Sequence, residues 1–144
     1  MGELSVRVLP YGTIYIDGEL REKETNVKHT YKLPATSHLI LVEHPVIGKW
    51  KKMVQIKPDL LENIFVDFTK KVKIIVTTGS AIKGEIFVDN KATGQFSPKE
   101  IILPIGLHTI EIRREGYEMV DGVKEINLEK DLTDPLILRL SKIQ

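Results

Sequence analysis

The sequence contains no cysteine. Without thiols the chain cannot form disulfides, use a thiol nucleophile or bind a metal through thiolates. An excess of charge of one sign is also missing, because 21 basic and 20 acidic residues leave a net charge of +1. Nonspecific binding of nucleic acid requires a concentrated basic surface, so the composition argues against nucleic acid as a partner.

Long apolar runs and helical periodicity are absent as well. No segment approaches the roughly 18 apolar residues that a membrane helix needs, so we expect no direct membrane insertion. No window repeats its apolar residues with the period of 3.6 that is typical of an amphipathic helix. Hydrophobic residues still make up 42% of the 144 residues, which is enough for a globular core.

The sequence instead shows an alternation of apolar and polar residues with a period of two. Ile14 and Ile16 alternate with their neighbours and lead into Asp17-Gly18, and Ile110 and Ile112 alternate in the same way. Asp-Gly after such a run indicates a tight hairpin turn, because both central residues of that turn need a positive φ. Short strands punctuated by Gly, Pro and Asp predict an all-β, antiparallel sandwich fold.

The two halves of the chain resemble each other. Residues 33–42 return as residues 103–112, with Leu, Pro and His at the same spacing, and residues 14–18 return as residues 86–90. Self-similarity with so long a period indicates a duplicated structural unit.

The repeat predicts two tandem antiparallel β-sandwich units related by internal duplication. The first covers residues 3–69, and the second, more divergent unit covers residues 70–144. Alternation through Leu136, Leu138 and Leu140 predicts the last strand of the second unit.

The stretch from Leu9 to Gly18 resembles the signature of the PEGA domain, a small β module named after a Pro-Glu-Gly-Ala sequence. Here that sequence reads Pro10-Tyr11-Gly12-Thr13. The second unit lacks the Pro-x-Gly part but keeps other marks of the family, namely Ser97-Pro98, Leu103, Gly106, His108 and Gly116-Tyr117. The resemblance implies an accessory, noncatalytic module attached to a larger protein, often outside the cytoplasm and in some cases beside a serine/threonine kinase domain.

Four histidines are the first candidates for chemistry. His38 and His108 recur at the same place in the repeat, each at the start of a strand, and we expect structural histidines that donate to a loop carbonyl. His29 and His44 have no equivalents in the second unit. A metal site needs several converging ligands, so we expect no metal and no cofactor.

Asp17 and Asp89 also recur, each at the end of a predicted strand. We interpret them as turn residues, because aspartate tolerates the left-handed conformation and bonds its own backbone. An alternative is an enzyme acting on glycans, which would pair His38 with Asp89, or Asp17 with His108, in a cleft between the units.

Aromatic side chains are the candidates for binding. The selected residues are Tyr11, Tyr15, Trp50 and Phe87. Tyr15 and Phe87 are predicted on the sheet face opposite Ile14 and Ile86, where exposed rings could stack on a sugar or pack against a protein. The parity that Trp50 shares with Val54 and Ile56 favours a core position for its ring over a binding position.

These features predict a noncatalytic interaction or spacer module of a larger envelope-associated protein. It would present loops or a sheet face to a protein partner or to a cell-wall glycan. Two alternatives remain open: a ligand-sensing region attached to a serine/threonine kinase, and the glycan-acting enzyme. The extracytoplasmic location follows from the resemblance alone, and a cytoplasmic location is its alternative.

Overall fold

Alternating apolar residues build a chain made only of strands and their connections. The computed structural model describes all 144 residues, and the prediction of an all-β fold is confirmed. The chain divides into unit 1, Met1–Lys70, and unit 2, Lys71–Gln144. None of its segments forms a helix long and apolar enough to cross a membrane.

Unit 1 is a sandwich of two sheets. Its strands are β1 (Gly2–Leu9), β2 (Gly12–Ile16), β3 (Glu19–Thr25), β4 (His29–Leu33), β5 (Ser37–His44), β6 (Gly48–Gln55) and β7 (Leu61–Asp67). The 3-stranded sheet has the order β4-β1-β7, and the 4-stranded sheet has the order β3-β2-β5-β6.

Unit 2 has the same strand order. Its strands are β8 (Lys71–Thr77), β9 (Glu85–Val88), β10 (Lys91–Phe96), β11 (Lys99–Pro104), β12 (Gly106–Arg113), β13 (Tyr117–Met119), β14 (Lys124–Leu128), β15 (Leu136–Ile137) and β16 (Leu140–Lys142). The sheets are β11-β8-β15 and β10-β9-β12-β14, and β13 and β16 form an additional 2-stranded sheet.

Each unit contains one parallel strand pair that the expectation of a purely antiparallel fold did not include. β7 runs parallel to β1, and β15 runs parallel to β8. Parallel neighbours need a crossover connection. The chain makes it by returning from the 4-stranded sheet before β7 pairs with β1 and before β15 pairs with β8. Hydrophobic alternation carries no information about strand direction, so it could not reveal this pair.

The cores consist of the inward-facing residues of both sheets. The buried side chains of unit 1 include Leu4, Val6, Ile14, Ile40, Val42 and Phe68, and those of unit 2 include Val72, Ile74, Ile86, Ile110, Ile112 and Leu128. Trp50, Val54 and Ile56 are buried together, as their shared parity predicted. β12 alternates between buried and partly exposed residues along most of its length, which confirms a strand with one wet face.

The predicted hairpin turn after β2 is confirmed. Asp17 and Gly18 have φ angles of 53° and 80°. Asp89 and Asn90, between β9 and β10, have φ angles of 52° and 65°. Both central residues are therefore left-handed in each turn, as a two-residue hairpin loop of this type requires.

The single last strand predicted through Leu136, Leu138 and Leu140 is wrong. The segment forms two short strands with different partners: β15 pairs with β8, and β16 pairs with β13. The Leu138 amide donates to the Thr77 carbonyl at 2.8 Å, and the Arg139 carbonyl then accepts from the Val120 amide at 2.9 Å. The change of partner occurs between these two bonds.

We expect Ile14→Ala to destabilise unit 1 by about 2–5 kcal/mol, because the side chain is fully buried and the substitution leaves a cavity. Trp50 is the single tryptophan of the chain and lies in the core of unit 1, so its fluorescence during urea unfolding reports on that unit. Leu20→Ala, at an exposed residue of β3, is the control and should change the midpoint little. An equal loss of stability in Ile14→Ala and Leu20→Ala would contradict this description of the core.

Candidate functional site

In unit 1 a histidine and an aspartate tie the turn after β2 to the start of β5. The Nδ1 atom of His38 lies 2.5 Å from Oδ2 of Asp17. The second carboxylate oxygen, Oδ1, accepts the amide of Leu39 at 2.8 Å. On the other side of the ring, Nε2 lies 2.9 Å from the carbonyl oxygen of Pro34 and 3.2 Å from the hydroxyl of Thr36.

Unit 2 repeats this arrangement. The Nδ1 atom of His108 lies 2.8 Å from Oδ2 of Asp89, and its Nε2 lies 2.7 Å from the carbonyl oxygen of Pro104. Oδ1 of Asp89 accepts the amide of Thr109 at 2.9 Å. We call each of these groups of contacts a His–Asp clamp. Each clamp links a hairpin turn, the start of the central strand β5 or β12, and the proline that precedes that strand.

The clamp of unit 1 favours a charged imidazole. Both ring nitrogens of His38 face oxygen acceptors, and only the imidazolium form donates from both. The hydrogen bond to Asp17 raises the pKa of His38 above its usual value, burial opposes that rise, and the Pro34 carbonyl adds to it. The hydrogen bond from His38, followed by the bond from the Leu39 amide, lowers the pKa of Asp17.

These contacts refine two expectations about the repeated residues. His38 does donate to a loop carbonyl, as predicted, whereas His108 donates to the carbonyl of Pro104 at the end of β11. Both histidines also bind a carboxylate. Asp17 and Asp89 have the expected left-handed backbone, whereas their carboxylates bind backbone amides of β5 and β12 instead of their own turn. The glycan-acting alternative would pair His38 with Asp89, or Asp17 with His108, whereas the carboxylate that each histidine binds belongs to its own unit.

The four predicted binding aromatics lie in different environments. Trp50 is 6% exposed and belongs to the core, so its ring offers no binding surface. The ring of Tyr11 packs against His44, with centroids 4.5 Å apart. Tyr15 is half-buried on the outer face of β2, where the sequence placed it. Of the four, Phe87 lines a sizeable concave surface.

That surface is an open groove on unit 2 with a volume of about 590 Å³. It lies where β12 ends and β13 begins. Apolar atoms come from Phe87 on β9, Ile112 on β12, Tyr117 and Met119 on β13, and Val123 before β14. We call it the unit 2 groove.

Two arginines lie over the two aromatic rings of the unit 2 groove. The guanidinium of Arg113 is 3.9 Å from the ring centroid of Phe87, and that of Arg114 is 5.3 Å from the ring centroid of Tyr117. Arg113 also donates to Glu111 and, at 2.8 Å, to the side-chain oxygen of Asn90. These distances are in the range of cation–π contacts, so the two side chains are held against the rings.

Acidic residues surround these two arginines. Four carboxylates line the unit 2 groove, belonging to Glu85, Glu111, Glu115 and Glu118, and Arg113 and Arg114 are its basic residues. Glu111 is bound to Arg113, and of the other three acids Glu115 and Glu118 are exposed. No group of three or more His, Asp or Glu side chains is arranged to hold a metal ion.

Most residues of the unit 2 groove escaped the sequence analysis. Gly116-Tyr117 entered only as a mark of the PEGA resemblance, and Arg113 and Arg114 were not selected. Aligning the predicted strands β9 and β12 could have found the arginine beside Phe87. Phe87 pairs with Glu111, which places Arg113 diagonally beside the ring on the same face.

Comparisons with known proteins add no relative. No protein-family model matches this chain, and no curated protein or solved structure is significantly similar to it. The resemblance to the PEGA domain, carried by the motifs quoted above, therefore stays a prediction.

Asp17→Asn should make the stability of unit 1 less dependent on pH. The contribution of His38 is fully present below its unfolded pKa of about 6.5 and is lost as the pH rises through its raised folded pKa. The contribution of Asp17 is present above its unfolded pKa of about 3.9 and is lost as the pH falls through its lowered folded pKa.

We therefore expect the free energy of unfolding of wild type to exceed that of Asp17→Asn most between about pH 4 and pH 6.5. The expected difference is about 1 kcal/mol, because the carboxylate is partly exposed to solvent. Urea unfolding followed by Trp50 fluorescence at several pH values measures the difference. Glu62→Gln, at an exposed acid of β7, is the matched control. A difference that is the same at all pH values would show that His38 gains no proton affinity in the fold.

Proposed function

We propose that the chain is a noncatalytic interaction module of a larger protein, and that the unit 2 groove is its contact surface for a protein partner. The observation that carries this proposal is the half-buried ring of Phe87 in a groove shared with Tyr117 and Met119. Concave sites with aromatic walls and a few polar groups are typical of binding surfaces.

The geometry of the clamps supports a noncatalytic role for the repeated histidines. A general base needs a nitrogen that is free to take a proton from a substrate. In His38 and His108 one nitrogen faces a carboxylate and the other faces a proline carbonyl, all within one unit. Both histidines thus hold the fold together and leave no ring nitrogen for a reaction.

The arrangement at Phe87 favours a protein over a glycan as the partner. A sugar that stacks on an aromatic residue needs an open ring face. The guanidinium of Arg113 lies 3.9 Å from the ring centroid of Phe87 and occupies one face. The excess of carboxylates and the apolar side chain of Met119 suit a polypeptide with mixed side chains. The envelope location that we propose rests on the PEGA resemblance.

Site-specific photo-crosslinking tests the contact surface in the full-length protein in its native cells. A benzoylphenylalanine at position 87 should yield discrete protein adducts. The same group at position 15, which lies on the equivalent strand of unit 1, should not. A spacer without a binding surface would give no adduct from either position.

Cosedimentation with purified peptidoglycan tests the competing partner. We expect wild type and Phe87→Ala to sediment equally little, with circular dichroism confirming that both are folded. Sedimentation of wild type that Phe87→Ala abolishes would overturn the choice of a protein partner and favour a cell-wall glycan.

A further inference from the structure

The unit 2 groove lies at an interruption of the β12–β14 ladder. The register between these strands runs from Gly106 and Leu128 to Ile110 and Lys124 and stops there. In unit 1 the corresponding β5–β6 ladder continues to the end of its hairpin and pairs Val42 with Trp50. Continuing the register of unit 2 by two residues would place Gly122 opposite Ile112. Gly122 instead lies in a turn, with a φ of 71° and its amide directed to the Met119 carbonyl.

The interruption leaves a backbone donor with a weak partner. The backbone of Thr109 bonds toward the β9 side, since its carbonyl accepts the Asp89 amide at 2.7 Å. Successive residues of a strand point their backbone groups to alternate sides, so the amide of Ile112 points away from β9, toward the missing part of the ladder. There it meets the thioether sulfur of Met119 at 3.4 Å. A thioether is a weak acceptor, and a carbonyl oxygen would be a stronger one.

The charges around this donor define which polypeptide fits. Four glutamates and two arginines line the unit 2 groove. Arg113 is engaged by Glu111 and Asn90, and Arg114 donates to the Lys83 carbonyl at 2.8 Å. Glu115 and Glu118 are exposed and have no basic partner among the salt bridges of the structure. A polypeptide with complementary charge therefore carries positive side chains.

We propose that the unit 2 groove binds an extended peptide segment of another protein that carries lysine or arginine between apolar residues. A carbonyl of this segment accepts the amide of Ile112 in place of the Met119 sulfur and so extends the interrupted ladder. Strand addition of this kind supplies affinity through backbone bonds and specificity through alternate side chains. The apolar side chains of the peptide pack on Tyr117 and Met119, and its basic side chain lies between Glu115 and Glu118. This inference rests on the proposed function and adds the chemistry of the partner.

Fluorescence polarisation with the whole chain and two labelled synthetic peptides tests the proposal. The probes are Gly-Leu-Lys-Val-Lys-Leu-Gly and its counterpart with glutamate in place of lysine. We expect saturable binding of the lysine peptide that weakens as salt is added, and no binding of the glutamate peptide. Equal binding of both peptides, or binding of neither, would overturn the proposal.

Variants locate the site. The double variant Glu115→Gln with Glu118→Gln should weaken binding of the lysine peptide about tenfold, because two partly exposed ion pairs are lost. Glu62→Gln, an exposed acid of unit 1, should leave the affinity unchanged. The amide resonance of Ile112 should shift and exchange more slowly with solvent in the complex. An unchanged Ile112 amide would refute the added strand even if the peptide binds.

The two proposals fail in different ways. Protein adducts from position 87 together with no binding of the lysine peptide would refute the basic peptide and leave the contact surface intact. Absence of adducts from position 87 in native cells would refute the contact surface itself.

Discussion

Each His–Asp clamp joins a hairpin turn to a proline and a strand start that lie much further along the sequence. In unit 1 the carboxylate of Asp17 holds the ring of His38 and the backbone of Leu39, and the ring reaches back to the carbonyl of Pro34. The turn between β2 and β3, the start of β5 and the approach to β5 are therefore set by one group of hydrogen bonds. In each unit the strand after the turn and the strand after the proline flank a common neighbour, which is β2 in unit 1 and β9 in unit 2. This sheet order is compatible with the hydrogen bonds of the clamp. A charge-assisted bond is stronger than a neutral one, which suits a contact that fixes register.

Local features of the fold could be predicted from the sequence, because they depend on neighbouring residues. Alternation predicted that Ile14 and Ile112 lie in the core, shared parity predicted the same for Trp50, and Asp17-Gly18 predicted a hairpin turn. The partners of these residues could not be predicted in the same way. That Asp17 binds His38 depends on the register between β2 and β5, which alternation leaves open.

The same limit explains the errors. The alternation through Leu136 and Leu140 was read as one strand, because a pattern does not show where a segment exchanges one neighbour for another. The candidate site was predicted least well. Phe87 was selected as an exposed aromatic. Tyr117 and Met119 lie on a strand of three residues, which is too short for its alternation to stand out in the sequence, and only the folded chain brings them beside Phe87.

The clamp and the unit 2 groove lie at opposite ends of one strand. His108 stands near the start of β12 and Arg113 at its end, about 17 Å away at roughly 3.4 Å per residue. At the histidine end the units agree in their contacts. At the other end unit 1 closes a regular hairpin and unit 2 inserts β13. A frame secured at one end tolerates new segments at the other, since connecting loops accept insertions more readily than paired strands do. The same sandwich can therefore carry different connections at this end, and a segment from another sequence grafted between Arg113 and Lys124 would leave the core residue Ile112 and the histidine end in place.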